Sequence, residues 1–298
     1  YAYSCLVSVA GRSVRLMIDR PEAVDGKILT VQSAKQKNTL GTRRRNTKLD
    51  IDVESSLGGD FSIQVPEKAV MNSTKIDGRT LPIRQEHGRV LVPLKPGRQE
   101  LSLEWSTVQS LQYVTRVEPI TLPAEVANVT TEIQIPESQW ILWTHGPLRG
   151  PAVQFWAILI VAILLGSIIG QLPNAPLKTY EWVLLLIGLT QVSVFSAGVV
   201  VAWLFIMEYR RKQKPESWNW FTFDLMQLFL IGLTLTALVI LISVVNRGLL
   251  GYPEMFITGN GSYRNRLIWF SPQSGPGLTQ AWAITVSIWY YRLLMLLW

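Results

Sequence analysis

The sequence predicts a β plus α membrane protein: an antiparallel β-sandwich, then a multi-span transmembrane helical bundle with a β-hairpin between the last two spans. Three observations predict it. Charge is concentrated up front, with 35 of the 49 charged side chains before residue 151. Strict polar–apolar alternation runs through that first half, the period of a half-buried strand. From Pro151 onward apolar runs recur to the last residue, and residues 152–177 carry no charge. The expected domains are therefore residues 1–148 and 149–298.

The β half follows from period two. Leu49, Ile51 and Val53 alternate with Lys48, Asp50, Asp52 and Glu54; Leu101, Leu103 and Trp105 alternate with Glu100, Ser102 and Glu104. Leu111, Tyr113, Thr115 and Val117 repeat the pattern, as do Val129, Thr131, Ile133 and Ile135. Such strands bury one face and wet the other, as antiparallel sheets do. Turn signals lie between them: Asp25-Gly26, Gly58-Gly59, Asp77-Gly78, His87-Gly88 and Pro96-Gly97. Each supplies the positive φ that tight hairpins need.

In the second half, spans are expected at about residues 152–171, 179–208, 221–245 and 281–298. Tryptophans near their ends match an aromatic belt. The second segment is too long for one simple span, and its middle holds Gly188, Gln191, Ser193, Ser196 and Gly198. It is either one tilted helix or two legs that leave on the side they enter. Residues 254–258 (EMFIT) and 263–270 (YRNRLIWF) flank GNGS, a hairpin signal.

The basic loop Arg210, Arg211, Lys212 and Lys214 is the strongest cytoplasmic signal. Four simple spans put the β half in the cytoplasm beside it. A hairpin second segment puts the β half outside. A third arrangement puts both outside, with Arg247, Arg264 and Arg266 inside. A sandwich on a short linker is commoner outside, which favours an extracytoplasmic β half.

Candidate site residues are few. Gly166 and Gly170, four apart on the first span, permit close helix contact within the bundle or between copies. Asp224 and Arg292 are charges in apolar surroundings and could share a depth as an intramembrane ion pair. Arg43, Arg44, Arg45 and Lys48 form a basic run between strands, either a solvated loop or a contact for anionic surfaces.

Several functions are excluded or disfavoured. The net charge of +7 is spread over both halves, unlike the focused basic face of a nucleic-acid binder. One cysteine, Cys5, allows no internal disulfide, and two histidines, His87 and His145, lack further ligands at metal spacing. No histidine accompanies a membrane serine, only Asp224 lies in a span, and no glycine-rich phosphate loop precedes a helix. The expectation is therefore a non-enzyme with no metal and no cofactor. The chain begins at Tyr1 and ends in an apolar run, and reads as a piece of a longer one.

Residues 75–84 (KIDGRTLPIR), 88–97 (GRVLVPLKPG), 101–105 (LSLEW), 279–282 (TQAW) and 291–293 (YRL) carry a resemblance. Together they resemble the C-terminal part of large, poorly characterised envelope proteins of Gram-negative bacteria. The resemblance implies a signal peptide, extracytoplasmic β-domains and a terminal helical bundle, and it carries over no functional residue. The expected location is the bacterial inner membrane, with the β half in the periplasm. The expected partners are the lipid bilayer and a protein partner or second copy held through the bundle. Two functions stand: a membrane-anchored binding, scaffolding or envelope-assembly protein, or a subunit of a transport or export system.

Overall fold

The alternating residues of the first half form long paired strands. The computed structural model describes residues 29–82, 85–147, 149–212 and 220–298. β1 (Leu29–Leu40) and β2 (Arg44–Ser55) pair antiparallel along their whole length. β3 (Gly59–Gln64), β4 (Val70–Ile76), β5 (Arg79–Thr80), β6 (Gln85–Glu86) and β7 (Arg89–Leu94) are shorter. β8 (Gly97–Val108) is twelve residues long and pairs with β2 from end to end. β9 (Val114–Arg116), β10 (Val126–Gln134), β11 (Gln139–His145) and β12 (Ala152–Val153) follow.

The turns use the signalled residues. Asp77 and Gly78, at φ 49° and 77°, join β4 to β5; His87 and Gly88, at the same angles, join β6 to β7. Two successive positive φ values match the right-handed twist of the strands they connect. Gly58 and Gly59 lead into β3, and Gly97 opens β8, all at positive φ. Asp25-Gly26 lies outside the described residues.

Four helices then interrupt the strands: α1 (Phe155–Gly170), α2 (Thr179–Leu189), α3 (Val194–Lys212) and α4 (Trp220–Leu250). β13 (Ile257–Thr258), β14 (Arg266–Ser274), β15 (Trp282–Ser287) and α5 (Ile288–Leu297) close the chain. The last strands return to the first half. β14 lies antiparallel beside β10, at the edge of a seven-stranded sheet ordered β14-β10-β1-β2-β8-β4-β5. β15 is the middle strand of the sheet β11-β15-β9, and β13 pairs with β12. Sheet pairing thus crosses the 148/149 division.

Two apolar cores lie on the inner face of the large sheet. One sets Leu49, Ile51, Leu101, Leu103 and Trp105 against Phe61, Ile63, Val90 and Val92 of the β3-β7-β6 sheet. The other sets Ile133, Leu267 and Trp269 against Trp140, Ile141 and Ala283. Trp269 is 1% exposed, and Gly146 and Gly150 lie flat on its indole. A β-carbon at either glycine would come within 2.7 Å of the ring.

The expected sandwich with a multi-span bundle is corrected in three respects. The fold is mixed α/β: a large sheet in which β1 and β10 run parallel, with five helices among the described residues. Of these only α4 is long and apolar enough to cross a membrane, over Phe223–Leu250, with a mean hydropathy of 2.8 in its most apolar 18 residues. α1 has 16 residues, about 24 Å of helix against about 30 Å of hydrocarbon. The fourth expected span, 281–298, is strand β15 followed by a ten-residue helix. Its buried Ala281, Ala283 and Thr285 alternate with partly exposed neighbours. In so apolar a run period two is hard to distinguish from a buried helix. The GNGS turn forms, with Ser262 N–H donating to the Gly259 carbonyl. Yet β13 and β14 pair with other strands, so no hairpin joins them.

The helices turn back on themselves. The expected long segment 179–208 breaks at residues 190–193, where the Ser193 hydroxyl accepts from Ser196 N–H at the head of α3. Trp182 of α2 stacks on Phe205 of α3 with ring centres 5.5 Å apart. In one continuous helix they would lie about 35 Å apart. Lys212 at the end of α3 donates to Asn174 before α2, at 2.9 Å. At the opposite end, Phe155 N–H of α1 donates to the Met255 carbonyl, just beyond α4. The β strands and the basic end of α3 therefore lie at opposite ends of the helices.

The Trp269→Ala variant should lose about 3–5 kcal/mol of stability, as for other buried tryptophans cut to alanine. Urea unfolding followed by the sheet's circular dichroism measures this. An unchanged midpoint would contradict the packing of β14 described above.

Candidate functional site

The two cores are separated by a polar layer centred on Glu118. Gln36, Asn38, Arg45, Thr47, Thr107 and Thr131 all point inward from the large sheet and are buried. Glu118, 8% exposed, enters this layer from the segment after β9. Trp105 Nε1–H donates to its carboxylate at 3.0 Å, and the Thr107 hydroxyl donates to the other oxygen. The Thr47 hydroxyl lies 3.2 Å from both Glu118 Oε2 and Asn38 Oδ1, so its one proton serves either acceptor. Gln36 Nε2 donates to the Glu118 carbonyl at 3.1 Å. Arg45 places a guanidinium nitrogen 3.8 Å from the carboxylate.

Arg45 is therefore not part of a basic surface. It is 3% exposed, because residue 45 falls on the inward phase of β2. Burial pushes its guanidinium pKa down, and the nearby Glu118 charge opposes that shift. Arg43 and Arg44 stay exposed, and Lys48, half-exposed, pairs with Asp50 at 3.3 Å. Of the run of four expected cations, Arg43 lies in the turn before β2, and Arg44 and Lys48 are on the face of the strand opposite Arg45.

The outer face of the large sheet is wet and charged. A groove of about 570 Å³ crosses it, lined by Lys35, Asp50, Asp52, Asp77, Arg98 and Glu100. Asp52 sits directly opposite Glu100, a like-charge pairing that costs stability in an antiparallel sheet. Arg98 relieves it by donating to both carboxylate oxygens of Asp52. On the same face, Glu132 of β10 accepts from Arg266 of β14 at 3.0 and 2.9 Å and meets Lys37 of β1 at 3.5 Å. Burial pushes the Glu132 carboxyl up. The hydrogen bonds from Arg266 and the charge of Lys37 outweigh this and hold it below the usual carboxylate range.

Gly166 and Gly170 lie where α1 meets α2. A β-carbon at Gly166 would come 2.8 Å from the Val183 backbone, and one at Gly170 2.4 Å from that of Thr179. Close contact of this kind needs the small residue. Arg211 and Lys212 pair with Glu208 within α3, while Arg210 ends the same helix; Lys214 lies outside the described residues.

Asp224 and Arg292 do not form the expected pair. Asp224 is exposed in the first turns of α4, and the Arg292 guanidinium lies 5.0 Å from the Trp289 ring. Gly248, near the other end of α4, packs on Met295 of α5. Asp224 is about 36 Å along α4 from that contact. The order of helices does not reveal this, because α5 starts beside the strands and meets only the last turns of α4. Sequence reasoning also missed Glu118 and the bonds it accepts from Trp105, Thr107 and Thr47, because only the fold brings these residues to one layer. The one local signal was a charged residue between the apolar Val117 and Ile120.

Among the described residues no group of three or more His, Cys, Asp or Glu is placed to hold a metal. No protein-family model matches the chain, and no curated protein does. The solved structures it is similar to include an M1 zinc metallopeptidase from Deinococcus radiodurans, at 13% identity and a TM-score of 0.31. That match covers 41% of this chain and 35% of the other. Leukotriene A4 hydrolase from Saccharomyces cerevisiae is similar at 10% identity and a TM-score of 0.28, over 43% of this chain and 27% of that one. The chain thus spans about a third of the length of such structures. Likeness at this level transfers neither chemistry nor family.

The polar layer makes a stability prediction. Glu118→Leu should cost about 3–5 kcal/mol, because it leaves Arg45 buried without its partner. The double variant Glu118→Leu/Arg45→Met should recover a large part of that loss. Chemical unfolding followed by tryptophan fluorescence measures both. A single-variant cost below about 1 kcal/mol would mean that the layer is hydrated and open.

Proposed function

We propose that the protein is a membrane-anchored binding or scaffolding module, held in the bilayer by α4, with the shorter helices α1 to α3 beside it carrying the chain to its far end and the strands on the extracytoplasmic side. The observation that carries this is the reversal between α2 and α3, which separates the strands from the basic end of α3. Arg210, Arg211 and Lys212 end that helix, and the positive-inside rule assigns such a cluster to the cytoplasm. The strands then belong to the other side. α4 supports the anchor: its apolar window is only 17% buried, and Leu228, Leu235, Leu238 and Val239 point outward. A soluble protein rarely leaves so large an apolar surface uncovered.

Binding is the reading that suits the strands. Their outer face presents acids and bases of both signs around one groove, a surface suited to a hydrophilic partner rather than to lipid. An extracytoplasmic position agrees with the resemblance to Gram-negative envelope proteins.

The test is sidedness. On a Cys5→Ser background, Arg43→Cys and Arg211→Cys each give one exposed thiol on the described surface. A membrane-impermeant maleimide should label residue 43 in intact spheroplasts and residue 211 only after lysis. The reverse pattern would overturn the assignment.

A further inference from the structure

The β11-β15-β9 sheet leaves an apolar row uncovered. Trp143 of β11 pairs with Ile284 of β15, and Ile284 pairs with Val114 of β9. Ala283 and Thr285 of β15 are buried, so Ile284 and its partners occupy the opposite, outward face. Trp143 is 51% exposed and Val114 39%. Beside the row, Tyr113 is 67% exposed and lies next to Tyr290 of α5. Tyr290 and Trp289 are themselves 53% and 69% exposed. The patch is thus two tryptophans, two tyrosines and two branched aliphatics, built from a sheet face and the first turn of a helix.

Its position relative to α4 indicates what covers it. α5 runs away from the strands and meets Gly248 of α4 at Met295. Trp289 and Tyr290 lie five to six residues earlier, about 8 Å nearer the strands. The exposed apolar surface of α4 reaches the same end of the helices, with Val245 before Arg247 and Leu250 after it. Leu293, Leu296 and Leu297 continue the exposed surface along α5 from the patch toward the depth of α4. The patch is therefore continuous with the apolar helical surface and sits just beyond its end. Trp and Tyr, with an apolar ring and a polar tip, are the residues favoured at the headgroup level.

We infer that this face rests in the headgroup layer of the extracytoplasmic leaflet, so that the strands lie against the bilayer instead of standing off it. The inference rests on the membrane reading of α4. It adds a second attachment that fixes the tilt of the strands and leaves the charged groove, on the large sheet, open to its partner. The continuity with the α4 surface favours lipid as the occupant over a protein or a second copy.

The test uses the full chain, with Cys5→Ser, in phosphatidylcholine vesicles. Single cysteines at Val114 and at Leu238, which is exposed in the middle of α4, carry an environment-sensitive fluorophore. The lipids are brominated either near the headgroup end or near the methyl end of the acyl chain. The label at 114 should be quenched about twofold more strongly by the shallow bromines than by the deep ones, and the label at 238 more strongly by the deep ones. Quenching at 238 with none at 114 would overturn the inference, leave the anchor intact and give the patch to a protein contact. No quenching at 238 would remove the membrane reading itself, and the inference with it. Should Val114→Cys fail to fold, Trp143→Cys reports on the same row.

Discussion

The structure depends on the return of β14 and β15 after the helices. Without β14, β10 would be an edge strand with a row of unpaired backbone groups. Without β15, β9 and β11 would have no common partner. The returning strands also bring Leu267, Trp269 and Ala283, the centre of one of the two cores. The Lys37–Glu132–Arg266 contacts tie three neighbouring strands of the large sheet on its outer face. The β strands are thus one structural unit interrupted by helices, and the change of character at Pro151 marks an insertion into that unit.

This changes how the helical part reads. Both its entry, at α1, and its exit, after α4, are fixed to the same strands: β12 pairs with β13, and Phe155 N–H bonds to the Met255 carbonyl. Trp156 Nε1–H donates to the Leu142 carbonyl, and the Tyr252 hydroxyl donates to that of Gln139. Burial pushes the Tyr252 hydroxyl up to about 12, with Glu137 and Glu254 adding to it, so it remains a donor at neutral pH. The helices form a loop anchored at both ends, which holds the strands at one end and the cations of α3 at the other.

Much of the strand part was legible because its signals are local. Asp77-Gly78 and His87-Gly88 form the turns they announce, and Leu49, Ile51, Val53, Leu101, Leu103 and Trp105 all face the core. A break near residue 190 was one of the two readings that its polar and small residues left open. Other features depend on distant partners and left no local trace. The parallel pairing of β1 with β10 joins strands about 90 residues apart. Whether residue 45 is a surface cation or a buried one depends on Glu118, 73 positions away. Residues 281–287 were read as a helix because every position in them is apolar or small, which hides the strand period; only the register with β11 resolves it.

The most direct test of the interrupted unit is a cross-link between β10 and β14. Thr130 and Phe270 are register partners. Both are replaced by cysteine on a Cys5→Ser background, and a protease site is placed in the 213–219 segment. After oxidation and cleavage, the two fragments should run as one species without reductant and as two with it. Fragments that separate without reductant, in a protein that folds and binds vesicles, would contradict the account.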